Sequence, residues 1–200
     1  MIDERFASAD LDPRLQWMNP PAGWRLDAPR GRLLVEPDGE TDFWQRTHYG
    51  FRADNGHFLF LEVAGDFAAL TRVVFRPANQ YDQAGLMVRV SPDCWLKTSV
   101  EYETEGPNRL GAVVTNAGFS DWSVQDFPRR TREVWLRIVR RGADLEVEFR
   151  RTAAAPWKLL RLARLHDCPD RDPVQCGLYA CSPKGKGFLA AFHGFKVARI

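Results

Sequence analysis

Alternating apolar and polar residues recur along the chain in short runs, and Gly, Pro, Asn and Asp bound most of these runs. Helical spacing is nearly absent, except in residues 157–165, which fit a helix as well as a strand. The predicted strands cover residues 15–18, 32–36, 42–49, 58–63, 71–76, 85–90, 95–103, 109–115, 120–125, 133–140, 145–150, 175–180 and 187–197. The last strand is expected to bend or break at Gly194. This pattern predicts an all-β fold, in which two antiparallel sheets form a sandwich.

The chain of 200 residues contains no low-complexity linker. Its Pro-rich pieces, at residues 19–21 and 168–173, are short enough to be turns or loops. We therefore expect a single domain that spans residues 1–200.

The composition is that of an ordered globular protein. Hydrophobic residues make up 44% of the chain and charged residues 27%, and 28 Lys and Arg against 26 Asp and Glu leave a net charge of +2. This balance argues against disorder and against a strongly charged partner.

Two features predict a cytoplasmic location with no membrane partner. Residues 1–10 are acidic where an export signal would be basic, and no run approaches the roughly 18 apolar residues of a membrane helix. The four cysteines lack the paired spacing of a zinc site and are too few for a secreted disulfide framework. We expect reduced thiols, with a Cys176–Cys181 bridge as the less favoured alternative.

Positive charge is concentrated in residues 129–164, which contain eleven Lys and Arg against four Asp and Glu. Nucleic-acid binding is one interpretation of this segment. The basic residues alternate with acidic ones as on a strand, however, and no nucleic-acid-reading motif is present. We therefore predict a solvated outer face and no nucleic-acid partner.

Aromatic residues make up 12% of the chain and include seven Trp. On the strand at 95–103, strand parity separates an apolar face from a face that carries Trp95, Lys97, Ser99 and Glu101. Sugar-binding sheets use such mixed faces, because a sugar ring stacks on indole while its hydroxyls need fixed donors and acceptors. The alternative is that each Trp packs in the core and that Lys97 and Glu101 form surface ion pairs.

A set of short sequence words occurs in order along nearly the whole chain, from about residue 15 to residue 200. The words are Trp17-Met-Asn-Pro-Pro21, Thr41-Asp-Phe-Trp44, His48-Tyr-Gly50, Asn79-Gln-Tyr-Asp-Gln-Ala-Gly-Leu-Met87, Trp95-Leu-Lys97, Glu101-Tyr102, Val113-Val-Thr115, Ser120-Asp-Trp-Ser123 and Cys181-Ser-Pro183. This set resembles a concanavalin A-like family of the lectin/glucanase superfamily, classed as a domain of unknown function and sometimes labelled "regulation of enolase".

The resemblance implies a jelly roll of two curved sheets with ligands on the concave face, and a likeness to the C-terminal modules of some β-xylosidases. One departure lies between Phe149 and Trp157, where relatives often have a Ser-x-Asp-Gly turn that this chain lacks. The family words and the mixed faces together give the predicted ligand-binding residues: Asp42, Trp44, His48, Tyr81, Asp82, Gln83, Trp95, Lys97, Glu101, Asp121 and Trp122.

These residues leave three functions open. The favoured one is a non-catalytic module that binds a small carbohydrate-like ligand. The second is a protein-interaction module that acts on a metabolic enzyme such as enolase. The third is a glycoside hydrolase that uses Glu101, which with Glu103 and Glu105 loosely resembles the Glu-x-Asp-x-Glu strand of some glucanases.

We predict no cofactor and no metal. Residues 38–42 could bind calcium, but a hairpin turn is the simpler interpretation. His57 follows a turn signature, so that a role in bonding the turn is favoured over acid–base chemistry.

Overall fold

The chain forms two large antiparallel sheets and one short ribbon in the computed structural model, which describes residues 1–168 and 170–200. The first nine strands are β1 (Ile2–Glu4), β2 (Gln16–Met18), β3 (Gly23–Asp27), β4 (Arg32–Glu36), β5 (Phe43–Gln45), β6 (Arg52–Asp54), β7 (His57–Val63), β8 (Phe67–Arg76) and β9 (Gln83–Ser91). The others are β10 (Cys94–Glu101), β11 (Asn108–Asn116), β12 (Phe119–Phe127), β13 (Glu133–Arg141), β14 (Asp144–Arg150), β15 (Lys158–Arg164), β16 (Val174–Cys181) and β17 (Leu189–Arg199). A short 3-10 helix, Ala28–Arg30, joins β3 to β4.

One sheet has eight strands in the order β15-β14-β13-β8-β17-β4-β3, with β1 paired to β17. The other has seven strands in the order β12-β11-β10-β9-β16-β7-β2. All strand pairs within these sheets are antiparallel. The predicted all-β, concanavalin A-like jelly-roll sandwich is confirmed.

The main hydrophobic core lies between the two sheets and follows strand parity. In β8 every second residue from Phe67 to Phe75 is buried, as a strand with one core face requires. Strands β9 and β10 are instead buried on both faces over most of their length. Their second face carries Met87 and Trp95, which belong to a separate aromatic cluster outside the main core.

The β5–β6 ribbon covers that second face of the seven-stranded sheet. Its Phe43 and Trp44 belong to the outer aromatic cluster. The backbone N–H of Gln45 donates to Ser120 Oγ on β12 at 2.9 Å. At the other end of the ribbon, the buried Arg89 donates to Asp54 at 2.8 Å. We call the surface of the seven-stranded sheet that carries the ribbon the ribbon face.

The strand predicted at residues 42–49 is wrong beyond Gln45. Arg46 and His48 have φ angles of 56° and 63°, so the chain leaves the extended conformation and turns back into β6. A continuous strand would place Asp42, Trp44 and His48 on one face, but the turn removes His48 from that face. Likewise, β10 ends at Glu101 rather than at Glu103.

Five other strands refine the prediction. The ambiguous residues 157–165 form strand β15, not a helix. Strand β17 has a register shift between His193 and Phe195, so the predicted bend at Gly194 is confirmed. Strands β1, β3 and β6 were not predicted, because short exposed strands carry little alternation.

The arginine-rich segment does not lie wholly on a solvated face. Arg140 is fully buried and donates to the carbonyls of Gly142 and Asp172 at 2.8 and 3.2 Å. Elsewhere in the segment, Arg150 stacks on Trp135 and Trp157 at 6.0 and 4.6 Å from their ring centroids.

All four cysteines are buried, and Cys176 and Cys181 are not joined by a disulfide, so the Cys176–Cys181 bridge is absent. Across the described residues no helix is long and apolar enough to cross a membrane.

Candidate functional site

A pocket of about 400 Å³ opens between the ribbon and the ribbon face. Strands β9 to β12 form its floor, and the ribbon and its turn form one wall. The loops before β5, before β9 and after β16 form the rim. The residues around it are Glu40, Asp42, Trp44, Tyr49, Phe51, Ala53, Tyr81, Gln83, Lys97, Glu101, Val113, Trp122, Pro183 and Lys184.

A buried ion pair joins the floor to the ribbon. Lys97 Nζ lies 3.0 Å from Asp42 Oδ1, and the Lys97 side chain is only 3% exposed. The ammonium also lies 5.6 Å from the ring centroid of Tyr179 and 5.8 Å from that of Trp95. The Lys97 charge is therefore held by one carboxylate and two aromatic faces.

A hydrogen-bonded chain fixes Glu101 at the floor. The Tyr179 hydroxyl donates to Gln83 Oε1 at 3.2 Å, and Gln83 Nε2 donates to Glu101 Oε2 at 3.0 Å. Burial raises the pKa of Glu101 from 4.5 to about 8, despite the opposing attraction of Lys97. A neutral carboxyl group therefore lines the pocket at neutral pH.

Aromatic rings form the wall and continue beyond the pocket mouth. Trp44 is 5.5 Å from Tyr49, and Tyr49 is 6.1 Å from Phe51, between ring centroids. The indole N–H of Trp44 donates to the carbonyl of Thr47, which secures the ring while Tyr49 and Phe51 stay about half exposed. Exposed aromatic rings beside a pocket offer stacking surfaces to a ligand.

Backbone strain is concentrated around the pocket. Glu40, Arg46, His48 and Tyr81 all have positive φ angles, between 56° and 68°. All four belong to the loops that build the wall and rim. Such conformations cost free energy and recur where a structure holds a binding site in shape.

Seven of the eleven predicted ligand residues line this pocket. They are Asp42, Trp44, Tyr81, Gln83, Lys97, Glu101 and Trp122. They come from three strands, the ribbon and two loops, so the fold brings together residues up to 80 positions apart in the sequence.

Three predicted residues do not reach the pocket. Trp95 lies on the ribbon face but is fully buried, and its indole N–H donates to the Pro92 carbonyl. His48 is exposed on the ribbon turn, with its ring against Tyr49. Asp121 alternates with Trp122 and so points to the other side of β12, where it pairs with Arg161 at 2.9 Å.

The fourth, Asp82, organises the rim instead of lining the pocket. It is 1% exposed, accepts from the backbone N–H groups of Ala78 and Asn79, and accepts from Ser182 Oγ at 2.6 Å. The Ser182 N–H donates in turn to Thr41 Oγ1. Three rim loops are therefore tied together through one carboxylate.

Several lining residues were missed from the sequence. Tyr49 and Pro183 lie inside family words that were recognised, but strand parity gave no reason to choose them. Val113 also lies inside a family word, whereas Glu40, Phe51, Ala53 and Lys184 lie outside the family words. Ribbon and loop residues reach the site through turns, which alternation does not describe.

The glucanase-like carboxylate series is not assembled. Only Glu101 of the three lines the pocket, while Glu103 accepts a hydrogen bond from Gln80 and Glu105 is exposed in the following turn. Within the described residues no cluster of His, Cys, Asp and Glu is placed to hold a metal ion. Residues 38–42 connect β4 to the ribbon, so the predicted hairpin turn is also wrong.

His57 has the bonding role favoured from the sequence. It is 3% exposed, accepts from the Asp38 N–H at 2.9 Å through Nε2, and contacts the Asn19 carbonyl at 2.6 Å through Nδ1. The imidazole therefore anchors two chain segments and does not line the pocket.

A family model described as "Protein of unknown function (DUF1349)" matches residues 17–200. The chain belongs to this family. The match includes every element that contributes to the pocket. It confirms the family recognised from the sequence words.

Relatives agree with this assignment. The chain is 37% identical over 176 residues to "Regulation of enolase protein 1" of Saccharomyces cerevisiae, which covers 88% of this chain and 85% of that protein. A crystal structure of a functionally unknown protein from Saccharomyces cerevisiae superposes with a TM-score of 0.84 and 34% identity, covering 94% and 97% of the two chains.

The fold also occurs as part of larger proteins. The GH43 BlXynB protein from Bacillus licheniformis matches 99% of this chain with a TM-score of 0.78, at 18% identity. Only 39% of that protein is covered, so the likeness concerns one portion of it and shows a shared fold.

Proposed function

We propose that this protein binds a carbohydrate or sugar-like ligand in the pocket under the ribbon, without catalysing a reaction. The observation that carries this proposal is the meeting of aromatic rings and fixed polar groups around one pocket of about 400 Å³. Tyr49 and Trp122 offer faces for stacking, with the buried Trp44 packed against Tyr49, and Gln83 and Glu101 offer directed hydrogen bonds. A sugar ring presents both kinds of surface.

The arrangement of carboxylates favours binding over hydrolysis. A glycoside hydrolase needs an acid and a second carboxylate that is free to act as base or nucleophile. Glu101, with its raised pKa, suits the acid role. The nearest candidate partner, Asp42, is already engaged by Lys97 and by the N–H of Phe43.

A panel of mono- and oligosaccharides screened by thermal shift and calorimetry tests this proposal. We expect at least one sugar to raise the melting temperature, and Trp122→Leu to weaken its binding about tenfold or more. The matched control is Trp24→Leu, which removes a 40% exposed indole from the far edge of the eight-stranded sheet. Binding that Trp24→Leu weakens as strongly as Trp122→Leu, or no binding at all, would overturn the proposal.

Turnover assays on the same panel test the alternative that the protein is a glycoside hydrolase. The non-catalytic proposal expects no product from any glycoside. Product formation that Glu101→Gln abolishes, with Glu105→Gln still active, would establish the hydrolase instead.

A second candidate is a protein-interaction module that regulates a metabolic enzyme such as enolase. The name of the yeast relative and the half-exposed Tyr49 and Phe51 at the pocket favour it. Affinity capture with wild type and with a Tyr49→Ser, Phe51→Ser variant tests this function. A specific partner lost in the variant would support it, and capture unaffected by the variant would count against it.

A cytoplasmic location is part of the proposal. The buried Cys94, Cys176 and Cys181 are not joined in disulfides, which suits a reducing compartment.

A further inference from the structure

We propose that the pocket selects uncharged polyhydroxy ligands over sugar acids and sugar phosphates, and that Glu101 meets the ligand as a neutral hydrogen-bond donor. This inference rests on the proposed function and specifies the class of ligand for the same pocket. The charges around the pocket and the bonding of Glu101 carry it.

The floor of the pocket has little positive charge left for an anion. The pocket walls contain three carboxyl groups, Glu40, Asp42 and Glu101, and two cations, Lys97 and Lys184. The Lys97 charge is already balanced by Asp42 at 3.0 Å. Sites that bind phosphate or carboxylate groups supply free cations or bidentate Arg, and this floor offers neither among its described residues.

The bonding of Glu101 fixes which of its oxygens meets the ligand. Gln83 Nε2 donates to Oε2 at 3.0 Å, so this oxygen acts as an acceptor. The orientation of the Gln83 amide is fixed, because Nε2 also donates to the Tyr81 carbonyl and Oε1 accepts from Tyr179. A flipped amide would lose both of these hydrogen bonds. Oε1 of Glu101 has no hydrogen-bond partner among the described residues, and Glu101 lines the pocket.

The groups around Glu101 keep its proton in place. Burial raises the pKa of Glu101 most, and repulsion from Asp42, in the loop before the ribbon, and from Glu103, after β10, raises it further. Lys97 on the same strand lowers it, but burial outweighs this attraction. The cross-strand neighbour, Arg109, is paired with Asp126 on β12.

On Oε1, the proton is available to an acceptor oxygen of the ligand, such as a ring oxygen or a hydroxyl. An anionic ligand would accept the same hydrogen bond, but would bring a charge onto a floor whose described residues include no unpaired cation. Desolvation without compensation therefore penalises the charged ligand.

Matched sugar pairs test the selectivity by calorimetry at pH 6: glucose with glucuronate and glucose 6-phosphate, galactose with galacturonate and galactose 6-phosphate, and xylobiose with its glucuronyl derivative. We expect the uncharged member of any binding pair to bind about tenfold tighter or more than its anionic partners. Equal or tighter binding of the anionic member would overturn the inference and leave the proposed function standing. Absence of binding by every member would overturn both.

The pH dependence tests the role of Glu101. We expect the affinity for the uncharged sugar to fall between pH 7 and pH 9 in the wild type, and the ratio of affinities at these two pH values to approach one in Glu101→Gln. Glu101→Leu should lower the affinity at pH 6, while the control Glu105→Gln, in the exposed turn, should not. An unchanged pH dependence in Glu101→Gln would contradict the donor role.

A titration without ligand keeps this test independent of any sugar. Side-chain carboxyl ¹³C shifts, assigned by comparison with Glu101→Gln, should show Glu101 titrating near pH 8. Titration of Glu101 below pH 5 would overturn the neutral-donor inference even if a sugar binds.

Discussion

At the scale of single residues, Lys97 and Glu101 show how one strand face produces two different electrostatic environments. They lie four positions apart on β10, and both side chains line the pocket. Lys97 has a carboxylate partner brought by the ribbon, whereas Glu101 has only the Gln83 amide. An amide N–H does not offset the burial of a full charge, so Glu101 holds its proton.

This difference predicts a pH-dependent stability. The pKa of Glu101 is about 8 in the folded chain and near 4.5 in an unfolded one, so folding favours the protonated form. The Glu101 contribution to stability is present below pH 4.5 and is lost as the pH rises through 8. Relative to the wild type, Glu101→Gln should gain roughly 2–4 kcal/mol in unfolding free energy between pH 4.5 and pH 9.

Urea denaturation of both proteins across this pH range measures the difference. Glu105→Gln is the control, because Glu105 is exposed and should show a nearly constant difference from the wild type. A constant difference for Glu101→Gln as well would contradict the raised pKa.

At the scale of elements, the ribbon makes the site by covering one face of a sheet. Strands β9 and β10 could be assigned from alternation, and parity correctly separated their core residues from those of the ribbon face. The ribbon could not be assigned, because its turn depends on positive φ angles at Arg46 and His48, where most chains would place Gly or Asn. Lys97 carries its charge on this face and is buried, because the ribbon covers it and Asp42 pairs with it.

The Lys97–Asp42 pair should couple the ribbon to the sheet. Lys97→Met leaves the Asp42 carboxylate without its cation in a mostly buried position, and should cost about 3 kcal/mol of stability. Asp42→Asn leaves Lys97 similarly unpaired. The double variant should lose less than the sum of the two, with a coupling energy of about 1–3 kcal/mol in a double-mutant cycle.

A matched cycle on Arg164 and Asp144 provides the control. This pair is 2.8 Å apart but 61% and 67% exposed, and its coupling should stay below about 1 kcal/mol. Equal coupling in the two cycles would mean that the ribbon is not fastened through Lys97.

At the scale of the whole molecule, the fold can be predicted from the sequence more completely than the site can. The alternation of apolar and polar residues is visible within each strand separately, so the sandwich could be predicted from it. The rim depends on contacts across the chain, such as Asp82 with Ser182, 100 positions away. Asp82 was therefore grouped with the ligand residues, although its bonds hold the rim loops.

Tryptophan side chains lie both at the pocket and on a distant surface, so one experiment can compare the two regions. Trp44 and Trp122 line the pocket, and Trp95 is buried beneath it. Trp135 and Trp157 stack with arginines on the outer face of the eight-stranded sheet. The indole N–H signals therefore report separately on the pocket and on surfaces far from it.

The most direct test of ligand binding under the ribbon is an NMR titration of these indole N–H signals with the sugar that gives the largest thermal shift. The pocket site predicts saturable shifts for Trp44 and Trp122, with Trp135 and Trp157 unmoved. Shifts centred on Trp135 and Trp157, with Trp44 and Trp122 unmoved, would contradict it.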